Sequence, residues 1–426
     1  MTDLEDRLRQ ALSTEAERAQ PEMLRPLRAP RAPAAGGWLA TRARPGRRWP
    51  GWVAPLAAAA AVIAVVAGTA AISSAIHGRR TAAAAGLAHR VTAYVAASDS
   101  STVIPIRTAT NTALAPVNAG GNPDFLAITP DGKTLYVANY LYHGGTVTPI
   151  RTATNTALAP IKTGRSPAAI AITPDGKTAY VVNFDSGTVT PIRTATNTAL
   201  APIKTGHDPD TIVITPDGKT AYVANNGSGT VTPIRTASNT ALAPIKVGPH
   251  PDAIAITPDG GTVYVASDVS AGTVTPIRTA TNTALPPVKT GHSPGAIAIT
   301  PNGRTAYVTN SGSGTVTPIR TVTNTALPPI ETGSDPNAIA ITPDGRTAYV
   351  TNPGSGTVTP IRTATNTALR PIRTGNPNDI AITPNGKTAY VTNFINGTVT
   401  PIRTATNAAL PSIKTGRNAV TIVISP

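Results

Sequence analysis

The side chains best suited to chemistry are three histidines, His207, His250 and His292, and three aspartates, Asp124, Asp210 and Asp252, each set recurring along the chain. Imidazole and carboxylate together make a donor set for divalent metals, and imidazole also ligates haem iron. The histidines fall one to a repeat, however, and His250 is offset by one position from the other two. They read as solvated turn residues rather than as ligands of one ion, and no metal or cofactor is expected. The aspartates enter an inner strand near the axis of the architecture derived below. Catalysis needs an asymmetric constellation of acid, base and nucleophile. The chain shows no Ser-His-Asp set, no phosphate-binding loop and no paired carboxylates outside a repeated context, so it is expected not to be an enzyme.

The elements that must position these residues are copies of one unit. The isoleucine before each Thr-Pro marks it at Ile128, Ile172, Ile214, Ile256, Ile299, Ile341 and Ile382, with a last copy at Ile424 before Ser425-Pro426, in steps of 44, 42, 42, 43, 42, 41 and 42 residues. A period this regular signals a repeat architecture. Within 169–206, Ala-Ile-Ala-Ile is followed by the turn Thr-Pro-Asp-Gly-Lys-Thr, then Ala-Tyr-Val-Val, a short loop, Thr-Val-Thr-Pro-Ile-Arg, a polar Thr-Ala-Thr-Asn-Thr link and Ala-Leu-Ala-Pro-Ile-Lys. These are four short strands, A to D, with turn residues between them and no 3.6-residue periodicity, which describes a propeller blade rather than a helical solenoid.

Seven complete A-B-C-D sets run from Phe125 onward. Before them lies an orphan B-C-D set beginning at Ala93, and after them an orphan A strand, Val420 to Ile424. Together the fragments make one blade, and joining them removes the unpaired edges of an open ring. The expectation is an all-β fold, a single β-propeller of eight four-stranded blades with one-plus-three terminal closure over 93–426; seven blades with a loose fragment is the alternative.

Strand B carries a signature: Tyr307-Val-Thr-Asn310, Tyr349-Val-Thr-Asn352 and Tyr390-Val-Thr-Asn393, with close variants at 136, 180, 222 and 264. With the preceding Thr-Pro-Asp-Gly-Lys/Arg-Thr it resembles the YVTN-repeat β-propeller family. That resemblance implies the propeller fold over 93–426 and leaves function open, because the family is similar to surface-layer proteins, lactonases and haem d1 domains alike. Strand C departs from the family's usual Val-x-Val-Ile-Asp by reading Val-Thr-Pro-Ile-Arg. Proline cannot donate to a sheet ladder, so strand C is expected to be bulged or poorly paired and strand D more frayed still.

The first ninety residues differ in kind. Residues 1–50 are read as a cytoplasmic stub: a short amphipathic helix over 2–20 with Leu4, Leu8 and Leu12 on one face, then a disordered stretch rich in Pro, Arg, Ala and Gly. Trp52 to Ile76 is free of charge, long enough to span a bilayer, preceded by Arg42, Arg44, Arg47 and Arg48 and followed by Arg79 and Arg80. The segment 51–76 is therefore expected to be a transmembrane helix, with the N-terminus cytoplasmic and the propeller extracellular. A cleaved signal peptide is the alternative, against which the charged region before it is unusually long. The junction resembles the N-termini of actinobacterial single-pass membrane proteins. Residues 77–92 are a flexible linker.

The chain is basic, with a formal net charge of +15, which favours negatively charged partners. Without cysteine it has no disulfides and no thiolate-bound metal. Nucleic acid is not expected, because aromatic residues are not interleaved with the basic ones.

Strand direction places the B–C and D–A loops on one face and the A–B turns and C–D links on the other. The second face is nearly constant and carries Lys133, Lys177, Lys219, Arg304, Arg346 and Lys387, expected to face anionic membrane headgroups. The first face varies. Its bulky apolar residues, Tyr140, Leu141, Tyr142, Phe184, Phe394 and Ile395, fall on the first, second and seventh complete blades, one sector of a closed ring. The expected function is that of a membrane-anchored, monomeric binding or scaffold module whose variable face takes a protein or cell-envelope polymer. The alternative class is a propeller enzyme, lactonase-like or haem d1-type.

Overall fold

Strand B of blade 2, Thr178–Asn183, shows why the unit folds as sheet: its residues are β-branched, aromatic or small, and all but the first are buried. Side chains alternate along a strand. Ala179 and Val181 meet Tyr136, Ile170 and Ile172 on one side, while Tyr180 and Val182 meet Ile212, Ile214 and Val223 on the other. A sheet clamped between two others has no polar face, and the core is accordingly divided among eight clusters between blades.

The structure is a computed structural model that describes residues 91–140 and 144–426. The expected helix, basic stretch, membrane span and linker before residue 91, and Leu141 and Tyr142, lie outside those residues. Eight separate antiparallel sheets form the propeller. In blade 2 the order is A, Pro167–Ile172; B, Thr178–Asn183; C, Thr188–Arg193; and D in two pieces, Thr198–Ala199 and Ile203–Lys204. The eighth blade joins the C-terminal strand Ala419–Ile424 to Thr92–Ala97, with Ala93 opposite Ile424 and Tyr94 opposite Val423. At this seam the Thr92 amide donates to Ser425 Oγ (2.9 Å), and the Ser425 amide returns to the Thr92 carbonyl (2.9 Å). The ring is thus closed with eight blades in the one-plus-three manner, and seven is excluded. Among the described residues there is no α-helix, and no helix is long and apolar enough to cross a membrane.

The proline of strand C does not have the expected effect. Strands B and C pair over all six residues without a shift, Tyr180 lying opposite Pro191. The reason is direction: in an antiparallel strand the N–H and C=O of one residue point to the same side. The Pro191 carbonyl accepts the Leu200 amide of strand D at 2.8 Å, so the missing donor also faces D. The B–C ladder loses nothing. Strand D bears the cost, interrupted around Ala201-Pro202 and left as two dipeptides.

Strand B's tyrosine is the tie between blades. Each phenol reaches across to the asparagine of the next blade's Thr-Ala-Thr-Asn-Thr link, as Tyr180 Oη does to Asn239 Oδ1 (2.7 Å) and Tyr222 Oη to Asn282 Oδ1 (2.6 Å). Tyr390 donates to Asn111 (2.5 Å), carrying the series across the seam. The acceptor asparagines sit in the left-handed region, φ 53° at Asn239 and 51° at Asn282, a conformation asparagine tolerates better than most residues. Tyr222→Phe should therefore keep the packing, leave Asn282 Oδ1 without its donor and cost about 1 kcal/mol. A thermal midpoint lowered by about 1–2 °C with an unchanged circular dichroism spectrum is the expected result; an unchanged midpoint would show that the phenol is idle.

Candidate functional site

The inner strands stand side by side around the axis, and seven of the eight carry a register irregularity at the loop-face end of their pairing with strand B. In blade 3 the A–B ladder pairs Pro209 with Asn225 and then Thr211 with Ala224, so Asp210 is an extra residue. Asp252 is extra in the same way between Pro251 and Ala253, and Asp124 between Pro123 and Phe125. A bulge re-aims the side chain it carries, and bulges recur beside active sites. Around the ring this position reads Asp124, Ala168, Asp210, Asp252, Gly295, Asn337, Asn378 and Val420. Acids occupy one arc and amides another, a variation that copies of one unit need not have.

Asp210 and Asp252, on adjacent blades, are hydrogen-bonded carboxyl to carboxyl. Such a bond requires a proton, and the two cannot both ionise without facing like charge at contact. Burial pushes the Asp210 carboxyl up, and its bond to Asp252 pulls it part of the way back. Burial also raises Asp252, helped by the charges of Asp210 and Asp268 and by its bond to Asp210, so the two carboxyls hold one proton between them. Protein surrounds both groups, yet each keeps some solvent exposure, as expected at the mouth of a propeller's central channel. Asp124 is only 9% exposed, and burial, with the Asp210 charge second, pushes it up to about 7.

The carboxylate pairs absent from the sequence are those outside the repeated context, whereas this pair is made of two copies of one repeated position. Residues 42 apart read in a sequence as copies of one inner-strand position; closure of the ring sets them side by side.

A fourth buried acid does different work. Asp379 accepts the Ile380 amide of its own strand on Oδ1 (2.8 Å) and the Ile422 amide of blade 8 on Oδ2 (3.0 Å), so both oxygens are engaged and one of them ties blade 7 to blade 8. Burial still pushes it up to about 7 against those two bonds. The amide arc is also structural: Asn337 Nδ2 donates to the Asn378 carbonyl (3.0 Å) and Asn378 Nδ2 to the Val420 carbonyl (2.7 Å).

The histidines do not join the pair. All three are exposed; His250 Nδ1 lies 3.2 Å from Asn226 Oδ1, and the His292 ring meets the Ser270 carbonyl, each turned to a neighbouring B–C loop. Among the described residues no three His, Asp or Glu side chains come together as a metal site. Neither does a histidine offer itself as a haem ligand beside the acids.

The rim of the same face carries the apolar sector. Each B–C loop is pinned by its backbone: the Tyr140 amide donates to the Asn122 carbonyl (2.8 Å), Phe184 to Ser166 (2.9 Å) and Phe394 to Asn376 (3.1 Å). Tyr140, Phe184 and Phe394 are half-buried in consequence, whereas Ile395 is 68% exposed.

On the opposite face Lys133, Lys177, Lys219, Arg304, Arg346 and Lys387 are all exposed. Four of them pair with the aspartate of their own turn, Lys133–Asp131 at 3.2 Å, Lys177–Asp175 at 3.3 Å, Lys219–Asp217 at 3.4 Å and Arg346–Asp344 at 3.8 Å. Arg304 and Lys387 instead have Asn302 and Asn385 in their turns. Strand C ends on this face in every blade with an arginine: Arg107, Arg151, Arg193, Arg235, Arg278, Arg320, Arg362 and Arg403.

The family model "Lactonase, 7-bladed beta-propeller" matches residues 91–205. No curated protein matches the chain. Among solved structures the chain is similar to a Kuenenia stuttgartiensis hydrazine synthase, 24% identical over 68% of this chain and 97% of that one, with a TM-score of 0.56. It is similar to the dihydro-heme d1 dehydrogenase NirN in complex with DHE, 15% identical over 78% and 74%, TM-score 0.66. A putative 6-phosphogluconolactonase of Bacteroides fragilis is 19% identical over 79% and 99%, TM-score 0.54. These likenesses establish the propeller fold. The match to a lactonase model over 91–205 contradicts the expectation that the chain is not an enzyme. That expectation rested on near-identity of the repeats, which nevertheless differ in charge on their inner strands at Asp124, Asp210, Asp252 and Asp379.

Proposed function

We propose that the chain is a hydrolase that opens a small lactone or ester at the axial mouth. The observation that carries this reading is the Asp210–Asp252 pair, two carboxyls sharing one proton at the rim of the channel. Asp210 takes a proton from the water that attacks the substrate carbonyl. Asp252 donates a hydrogen bond to the carbonyl oxygen and then its proton to the departing alkoxide, giving the hydroxy acid. The proton left on Asp210 returns the pair to its starting count. The lactonase match over 91–205 and the lactonase-named structural relative support this choice of reaction. Incubating the purified full chain with a panel of sugar and aliphatic lactones and following acid release tests it; turnover of at least one member is expected, and its absence across the panel would overturn the reading.

A binding role on the same face is favoured by Ile395, 68% exposed on a pinned loop. Tyr140, Phe184, Phe394 and Ile395, with Leu141 and Tyr142, are assigned to a protein or cell-envelope polymer that brings the scissile group to the mouth. The segment Trp52–Ile76 anchors the chain, with the propeller outside the cell. Crosslinking on intact cells should lose a discrete adduct when Phe394 and Ile395 are changed to Ser; an adduct that persists assigns the contact elsewhere.

A further inference from the structure

We infer that the turn face of the ring rests on an anionic phospholipid surface, independently of whether the opposite mouth is a hydrolase. Charge is distributed unequally between the faces. The turn face holds the eight strand-end arginines, seven of them exposed and Arg107 half-buried, together with the turn cations. Its acids are the turn aspartates Asp131, Asp175, Asp217, Asp259 and Asp344, and they are engaged locally: Asp175 Oδ1 accepts from Thr173 Oγ1 (2.6 Å) and the Lys177 amide (3.0 Å), and Oδ2 meets Lys177 Nζ. None of the strand-end arginines of the described residues is held by these carboxylates in an ion pair, which leaves a ring of guanidinium groups facing outward. The loop face mixes signs, Lys162, Arg165, Lys204, Lys246, Lys289, Arg373, Lys414 and Arg417 with Asp99, Asp185, Asp208, Asp268, Glu331 and Asp335, and it surrounds the acidic mouth.

Two observations choose a bilayer over a soluble polyanion. Val322 replaces the usual alanine of the Thr-Ala-Thr link beside Arg320 and is 84% exposed on this face, an aliphatic side chain placed among cations. The chain also enters the propeller here: Thr92 is bonded to Ser425 and Val91 to Thr108, at the turn end of blade 8. Only 14 residues separate Val91 from Ile76, the last residue of the charge-free run. At an extended reach of about 3.3 Å per residue, a membrane holding that run lies within about 50 Å of the basic face. Such tethering raises the local concentration of lipid at the nearest face, and guanidinium pairs readily with phosphate.

The absence of cysteine lets a single reporter be placed anywhere. Full-length chain is reconstituted into vesicles of phosphatidylcholine alone or with phosphatidylglycerol, carrying an environment-sensitive dye at Ala364→Cys on the turn face or at His207→Cys on the loop face. The expected result is a blue shift at position 364 with phosphatidylglycerol only, reversed by 0.5 M salt, as screening requires at a Debye length of about 4 Å. The change of Arg193, Arg235, Arg320 and Arg362 to Gln should reduce the shifted fraction on the order of tenfold at an unchanged thermal midpoint. Equal shifts in both lipids, a shift at position 207 alone, or a response to soluble heparin without one to phosphatidylglycerol would each overturn the assignment, the last in favour of an anionic polymer.

Discussion

Asp252→Asn should lower lactone turnover at neutral pH by about 10²- to 10⁴-fold, the range that positioned proton transfer supplies. The amide keeps the shape and can still donate to Asp210, so the fold and substrate binding survive while the transferable proton is gone. Asp210→Asn removes the base and should cost a similar factor, and because the two groups act as a unit the double variant should lose little more than either single one. The pH profile of the wild type should be bell-shaped, falling where the pair takes up its second proton and again where it loses its last; these limbs belong to the pair, not to either residue. Asp379→Asn is the contrast. It should leave the bell in place and lower the thermal midpoint, because an amide offers one acceptor to the two backbone amides that Asp379 now satisfies. Activity within twofold of wild type in Asp252→Asn would remove the pair from the mechanism.

The separation between these two outcomes follows from what a repeat sequence makes visible. Ile128 to Ile424 recur at a step that fixes the number of blades, and the orphan strands at Ala93 and Val420 give the closure, because both are local patterns read along the chain. The Tyr180–Asn239 bond was not legible: it joins residues 59 apart whose relation exists only once blades stand side by side. Strand C was misread at Pro191 because a sequence gives the missing donor but not the side of the strand it faces. For the site, Asp124, Asp210 and Asp252 were visible as residues near the axis, yet their aim depends on the bulge after each proline and their meeting on ring curvature. The signal that was available is the series Asp, Ala, Asp, Asp, Gly, Asn, Asn, Val following the start of strand A in otherwise like repeats. Divergence at one position of a nearly invariant unit marks the place where the copies do different things.

The propeller should unfold cooperatively in alkali, between pH 10 and 12. Eight of the ten tyrosines, Tyr94, Tyr136, Tyr180, Tyr222, Tyr264, Tyr307, Tyr349 and Tyr390, are at most 2% exposed, and burial pushes each up to about 12 from an ordinary 10. A phenol is neutral when protonated, so the folded state keeps its protons at a pH where the unfolded chain has released them. Their contribution is complete below pH 10 and is lost as pH climbs toward 12, at up to about 1.4 kcal/mol per pH unit for each tyrosine. Summed over eight tyrosines and two pH units the ceiling is about 22 kcal/mol, and half of that, discounted for solvent reaching the phenols, is comparable with the roughly 5–15 kcal/mol by which domains are stable. The seam gives no protection, because the Tyr390 phenol bonded to Asn111 titrates with the rest. Phenolate absorbance and the β-sheet dichroism should change together in one steep transition inside that window. Gradual phenolate formation centred near pH 10 with the dichroism intact would show that the tyrosines are open to solvent and that the ring does not depend on them.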